Sequence, residues 1–164
     1  SLDPEFGKIY KWDIPLLDGY NYVFLKNYSP KPTPTFFGEI NPRIVGELRK
    51  KKYDAIIVHG YVSCTNWLAF LAARLTKTPI ILKGEADASK KISPIKKVFK
   101  KIILTNLFKK ADAFLYSYNL NKEFFKFYGV PEEKLFFYPC AVDNDFFGAE
   151  AEKLKSKKSI LASV

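Results

Sequence analysis

The chain contains a single histidine, His59, placed directly after the branched apolar run Ala55-Ile56-Ile57-Val58 and before Gly60 and Tyr61. An imidazole can orient or polarise a hydroxyl near neutral pH, and a following glycine lets a ligand approach the backbone. Three more short apolar runs end in polar or flexible groups. Ile80-Ile81-Leu82 leads to Lys83, Gly84, Glu85 and Asp87; Ala113 to Tyr116 leads to Ser117, Tyr118 and Asn119; Leu135 to Tyr138 leads to Pro139, Cys140 and Ala141. Glu85 and Asp87 can accept hydrogen bonds from hydroxyls, and Asn119 can reach a ligand from the start of a helix. Each has a structural alternative. His59 can simply bond at a strand end, Glu85 can cap a helix or face water, and Asn119 can be an N-cap.

Other chemistries lack their parts. No G-x-G-x-x-G follows a strand and no G-x-x-x-x-G-K-[ST] occurs, so neither backbone cradle for phosphates exists. No G-x-S-x-G elbow is present. One histidine and two cysteines, Cys64 and Cys140, are too few for a zinc site, and their spacing reads as two reduced thiols of a cytoplasmic protein.

The elements that must position these residues alternate. Strands are expected at Tyr22 to Leu25, Ala55 to Val58, Pro79 to Leu82, Ala113 to Tyr116 and Leu135 to Tyr138. Helices are expected from Asn41-Pro42 to about Lys51, with Asn41 as N-cap, then Thr65 to Thr76, burying Trp67, Leu68, Leu71 and Leu75. Three more follow at Pro94 to Lys109, at Asn119 to Tyr128, stopped by Gly129, and at Ala149 to Lys158. Prolines 30, 32 and 34 mark a loop. This alternation predicts an α/β protein, a Rossmann-like parallel sheet with helices on both faces. Ligands of such sheets collect at the carboxyl ends of the strands, which is where the polar residues above fall. A doubly wound sheet without a nucleotide fingerprint points to the half of a two-domain enzyme that holds the other substrate.

With 164 residues, 48% of them hydrophobic, the chain can bury one substantial core, and no apolar run is long enough to span a bilayer. The formal net charge is +10, from 27 basic residues of which only Arg43, Arg49 and Arg74 are arginine. Lysine charge favours diffuse attraction to anionic surfaces over bidentate reading of phosphates. On the helix from Pro94, the apolar Ile95, Val98, Phe99, Ile102, Ile103, Leu107 and Phe108 suit a sheet-covering face. Lys96, Lys97, Lys100 and Lys101 lie opposite, flanked by Lys90, Lys91, Lys109 and Lys110. These lysines offer peripheral contact with an anionic membrane. Nucleic acid is the weaker partner, because the pairs Phe36-Phe37, Phe124-Phe125 and Phe136-Phe137 fall in apolar patterns that predict burial.

Six segments carry a family likeness: Trp12 to Tyr20 (WDIPLLDGY), Tyr53 to Tyr61 (YDAIIVHGY), Ile80 to Glu85 (IILKGE), Lys110 to Ser117 (KADAFLYS), Asn121 to Val130 (NKEFFKFYGV) and Leu135 to Phe147 (LFFYPCAVDNDFF). Over residues 8 to 147 the chain resembles the N-terminal, acceptor-side domain of retaining glycosyltransferases of the GT-B fold, family four. The strand followed by Pro-x-x-Val-Asp and an aromatic is the most specific feature. The resemblance implies transfer of a sugar from a nucleotide-sugar donor to an acceptor in a cleft between two domains. It implies catalytic roles for His59 and Glu85 and acceptor contacts from Gly60, Tyr61, Gly84, Asp87 and Asn119. No metal or cofactor is expected in this domain, the nucleotide-sugar donor belonging to a second domain. Lys83 stands where the subgroup has arginine. Trp12, Asp13 and Tyr20 are matched by pattern alone, and Asp143 and Asn144 would shape a hinge.

The ends give further expectations. Residues 1–6 read as residues left by a cloning site, 7–147 as the acceptor domain with its first βα unit upstream, and 148–164 as a linker or the start of a second domain. The fragment alone is expected to be inactive and its parent cytoplasmic, peripheral to the inner membrane face. The alternative is a stand-alone basic Rossmann-like module that binds nucleic acid or another anionic partner.

Overall fold

Residues 17–86, 93–139 and 144–162 are described by a computed structural model. The readings on Trp12, Asp13, Asp87, Lys90, Lys91, Cys140, Ala141 and Asp143 lie outside the described residues. In chain order the elements are α1 (Arg43–Lys50), β1 (Ile56–His59), α2 (Cys64–Thr76), β2 (Ile80–Lys83), α3 (Pro94–Phe108), β3 (Ala113–Tyr116), α4 (Asn119–Phe127), β4 (Leu135–Phe137) and α5 (Asn144–Ala162). The four strands form one parallel sheet in the order β1-β2-β3-β4. The α/β, Rossmann-like class expected from the alternation is therefore what forms, with helices flanking the sheet.

Register decides which side chains share a face. Pairing of Val58 with Leu82, and of Leu82 with Phe114, aligns Ile56, Val58, Ile80, Leu82 and Phe114 on one side. That side is buried against Ala69, Phe70 and Ala73 of α2, Leu104, Leu107 and Phe108 of α3, and Phe124 and Phe125 of α4. Each fully buried aromatic or aliphatic side chain there contributes about 1.5–3 kcal/mol. The opposite side carries Ile57, Ile81, Ala113, Leu115 and Phe136; Ile57 and Phe136 are more than half exposed.

Four local expectations are corrected. Residues 22–25 are not a strand. Among the described residues no strand pairs with this segment, and side-chain amides help to tie the loop that follows. Asn27 Nδ2 donates to Gly38 O (2.8 Å), and Asn27 Oδ1 accepts from Ile40 N (2.9 Å). Asn41 is likewise no N-cap: Pro42 holds that position, while Asn41 Nδ2 donates to Leu25 O (3.2 Å) and its Oδ1 accepts from Thr65 Oγ1 (2.8 Å). On α2 the buried face is Ala69, Phe70, Ala72 and Ala73, whereas Leu71 and Leu75 are exposed. Alanines let this helix pack closely against the sheet, which outweighs the larger area of leucine. α3 departs in the same way: Leu104, Leu107 and Phe108 are buried, but Ile95, Val98, Phe99, Ile102 and Ile103 face outward.

Candidate functional site

The carboxyl end of β1 is built by two neighbouring constraints. Gly60 turns the chain with φ +81°, and its N–H donates to Lys83 O (2.7 Å), extending the β1–β2 pairing one step past the strand. L-residues resist that conformation. A Cβ here would also stand 3.4 Å from Asn66 Nδ2. The turn delivers Ser63 to the N-cap of α2, where its Oγ accepts from Asn66 N (3.3 Å) and donates to Asn66 Oδ1. Asn66 Nδ2 in turn donates to His59 O (2.7 Å). Ser63 and Asn66 thus lock His59 to the first turn of α2.

The other wall comes from the proline loop. Gly38 permits a close crossing, since a Cβ there would lie 1.7 Å from Thr33 O. Glu39 O accepts from both Thr65 N (3.2 Å) and Thr65 Oγ1 (3.0 Å), which anchors this loop to α2. The result is a cleft of about 340 Å³ lined by Pro34, Thr35, Glu39, His59, Gly60, Val62, Ser63 and Asn66. His59 and Glu39, both exposed, line one concavity beside a helix N-terminus. That combination can accept and donate hydrogen bonds to a polyhydroxylated ligand. A second cleft, of about 200 Å³, lies behind His59 along β1, between Ile44, Leu48 and Ala69.

The remaining residues singled out from the sequence are distributed more widely. Glu85 lies two positions beyond the His59–Lys83 pair, on the same carboxyl edge, with an exposed side chain. Its carbonyl accepts from Tyr118 Oη (2.6 Å). Gly84 is buried with Phe125 Cζ next to it. Asn119 is exposed at the first turn of α4, whose N-cap is Tyr118. Neither Glu85, Gly84 nor Asn119 lines the His59 cleft.

Tyr61 turns its ring into the aromatic core, 5.7 Å edge-on to Phe108 and 6.2 Å stacked on Phe124. Burial, with a smaller effect from nearby Tyr128, pushes its hydroxyl up to about 12. Lys83 holds its ammonium 4.7 Å from the Tyr138 ring centre.

Sequence reasoning missed Glu39, Ser63, Asn66 and Asn121. Asn121 is fully buried; its Nδ2 donates to Ala86 O (3.0 Å) and its Oδ1 accepts from Ser117 N (3.2 Å), clamping the loop that carries Glu85 onto α4. A Ser three positions ahead of a side chain able to bond back to it was a legible helix start. Glu39 sits in an irregular loop with no periodicity to mark it. Among the described residues no group of His, Cys, Asp and Glu is placed to hold a metal ion.

These features define an α/β domain with a parallel sheet and a cleft at the carboxyl end of its first observed strand. No family model, curated protein or solved structure matches the chain. Among the described residues no helix is long and apolar enough to cross a membrane.

Proposed function

We propose that this chain is the acceptor-side domain of a retaining glycosyltransferase. The observation that carries the reading is the cleft of about 340 Å³, at the carboxyl end of β1, that His59 and Glu39 both line. Strand ends of this kind are where α/β sheets bind ligands, and the donors and acceptors present suit sugar hydroxyls. In this reading His59 orients the acceptor hydroxyl and Glu39 accepts a neighbouring one. Glu85, at the end of the adjacent strand, meets the acceptor or the donor-binding domain. Gly60 shapes the floor, while Gly84 and Asn119 border the Glu85 side. Asp87 follows two residues after Glu85. Tyr61 acts through packing. The nucleotide-sugar donor is bound by a second domain, with oxocarbenium-like charge developing on the donor sugar between the two.

The test is a thermal-shift comparison of the chain with alkyl glycosides and with nucleotide sugars. Saturable stabilisation by a glycoside that His59→Ala or Glu39→Gln abolishes is expected, with no shift from nucleotide sugars. A saturable shift at micromolar nucleotide sugar, retained in His59→Ala, would overturn the reading.

One observation favours the basic-module alternative. Phe37, Phe136 and Phe137 are exposed rather than buried as the apolar pattern suggested, while Phe124 and Phe125 are buried. Exposed rings among lysines can stack on the bases of single-stranded nucleic acid. Single-stranded nucleic acid that stays bound above about 0.15 M salt would support this alternative; binding lost below that would mark nonspecific lysine attraction.

A further inference from the structure

α3 is amphipathic in an unusual orientation. At ~100° per residue, Ile95, Val98, Phe99, Ile102 and Ile103 share a stripe about 140° wide, and all five are 48–72% exposed. The residues that seal the core, Leu104, Leu107 and Phe108, lie on the opposite side of the helix. Lys96 and Lys101 border the stripe on its two sides by the same angular count. Lys97 and Lys101 sit over the Phe127 ring at 5.8 and 5.0 Å, and Lys100 lies 5.6 Å from the Phe124 ring centre. Between Pro94 and Phe108 there is no acidic residue, and the whole chain carries +10.

We infer that α3 is a docking surface for an anionic lipid bilayer. The helix lies flat, the five apolar side chains enter the acyl boundary, and the bordering lysines reach phosphate headgroups. Interfacial helices bind by this combination of apolar burial and lysine attraction, each lysine near the surface adding to the affinity. An apolar stripe wider than 100° exceeds what isolated surface hydrophobics require. The charge specifies the occupant. A second copy would bring the same lysine-rich, acid-free helix against this one, whereas anionic lipid complements it. A nucleic acid would use the lysines but leave the aliphatic stripe in water. The inference stands on α3 alone and survives failure of the His59 cleft to bind sugars.

The test is flotation of the chain with vesicles of phosphatidylcholine alone and of phosphatidylcholine mixed with phosphatidylglycerol. Binding about tenfold or more stronger to the anionic vesicles, weakened by salt, is expected. Val98→Glu/Ile102→Glu, at exposed positions, should abolish it with the thermal melt retained. Phe99→Trp should acquire emission that brominated lipid quenches, an insertion readout independent of the charged variant. Equal binding to both vesicle types, unquenched Phe99→Trp, or full binding by Val98→Glu/Ile102→Glu would overturn the inference. So would concentration-dependent dimerisation, or binding to single-stranded nucleic acid, that the double variant removes while vesicles are ignored.

Discussion

Replacing Asn121 by alanine tests whether the Glu85 loop is held by one buried amide. The side chain is fully buried and makes two hydrogen bonds, to Ala86 O and from Ser117 N. A net contribution of about 0.5–1.5 kcal/mol per bond gives a floor of about 1–3 kcal/mol if water replaces the amide. Ala86 and Ser117 are only partly exposed, so rehydration is incomplete, and each dry group left without a partner costs about 1–3 kcal/mol. With both groups dry the sum is about 2–6 kcal/mol; partial rehydration puts Asn121→Ala in the lower part of that range, about 2–4 kcal/mol, or a fall in Tm of roughly 5–15 °C for a domain of this size. Urea unfolding should show a lower midpoint at unchanged slope. Hydrogen exchange should accelerate at the Ser117 amide, which loses its acceptor. Asn121→Asp separates the two bonds. It keeps the acceptor for Ser117 N but aims a carboxylate at Ala86 O, so it should be destabilised near neutral pH and recover on acidification, when the protonated acid can donate to that carbonyl. A fall in Tm below about 2 °C for Asn121→Ala, the equivalent of less than 1 kcal/mol, would refute the clamp.

Three further substitutions follow from the geometry. Gly60→Ala forces a Cβ into φ +81° and to 3.4 Å from Asn66 Nδ2; a loss of about 1–2 kcal/mol is expected, read as a lower urea midpoint. Phe114→Ala empties the centre of a cluster in which Phe125 and Phe108 lie 5.0 and 5.4 Å away, and should cost about 3–5 kcal/mol in the same assay. Tyr61→Phe addresses alkaline stability. Burial holds the folded Tyr61 hydroxyl at about 12 against an ordinary 10.0, so the folded state keeps a proton that the unfolded chain releases. The stability linked to it is complete below pH 10 and is lost as pH rises towards 12. Melts of wild type and Tyr61→Phe across that window should show the wild type falling more steeply; parallel curves would contradict this.

The sheet was legible because short apolar strands separated by helix-length segments leave few other arrangements. Ile56–His59, Ile80–Lys83 and Ala113–Tyr116 fall within a residue of the expected strands. Helix faces were less legible. Periodicity identifies a stripe but not the side the sheet takes, and on α2 the small residues won while on α3 five large apolar residues stayed outside. The candidate site was half legible. His59 and Gly60 stand where strand ends predict them, but Glu39 reaches the cleft through a loop held by Asn27, Asn41 and Thr65. Such cross-loop amide and hydroxyl bonds leave no periodic mark. The segment from Tyr22 to Leu25 misled for the complementary reason: β-forming residues make a strand only where a neighbour can pair with them.

In the proposed reading the cleft lined by His59 and Glu39 receives the hydroxyls of a sugar acceptor. Amide chemical shifts recorded while an alkyl glycoside is titrated into the isotopically labelled chain test it most directly. Saturable shifts concentrated at Glu39, His59, Gly60, Ser63 and Asn66 are expected, absent in His59→Ala and not reproduced by a nucleotide sugar. Saturable shifts that cluster elsewhere, or a nucleotide sugar that perturbs these same amides, would contradict it.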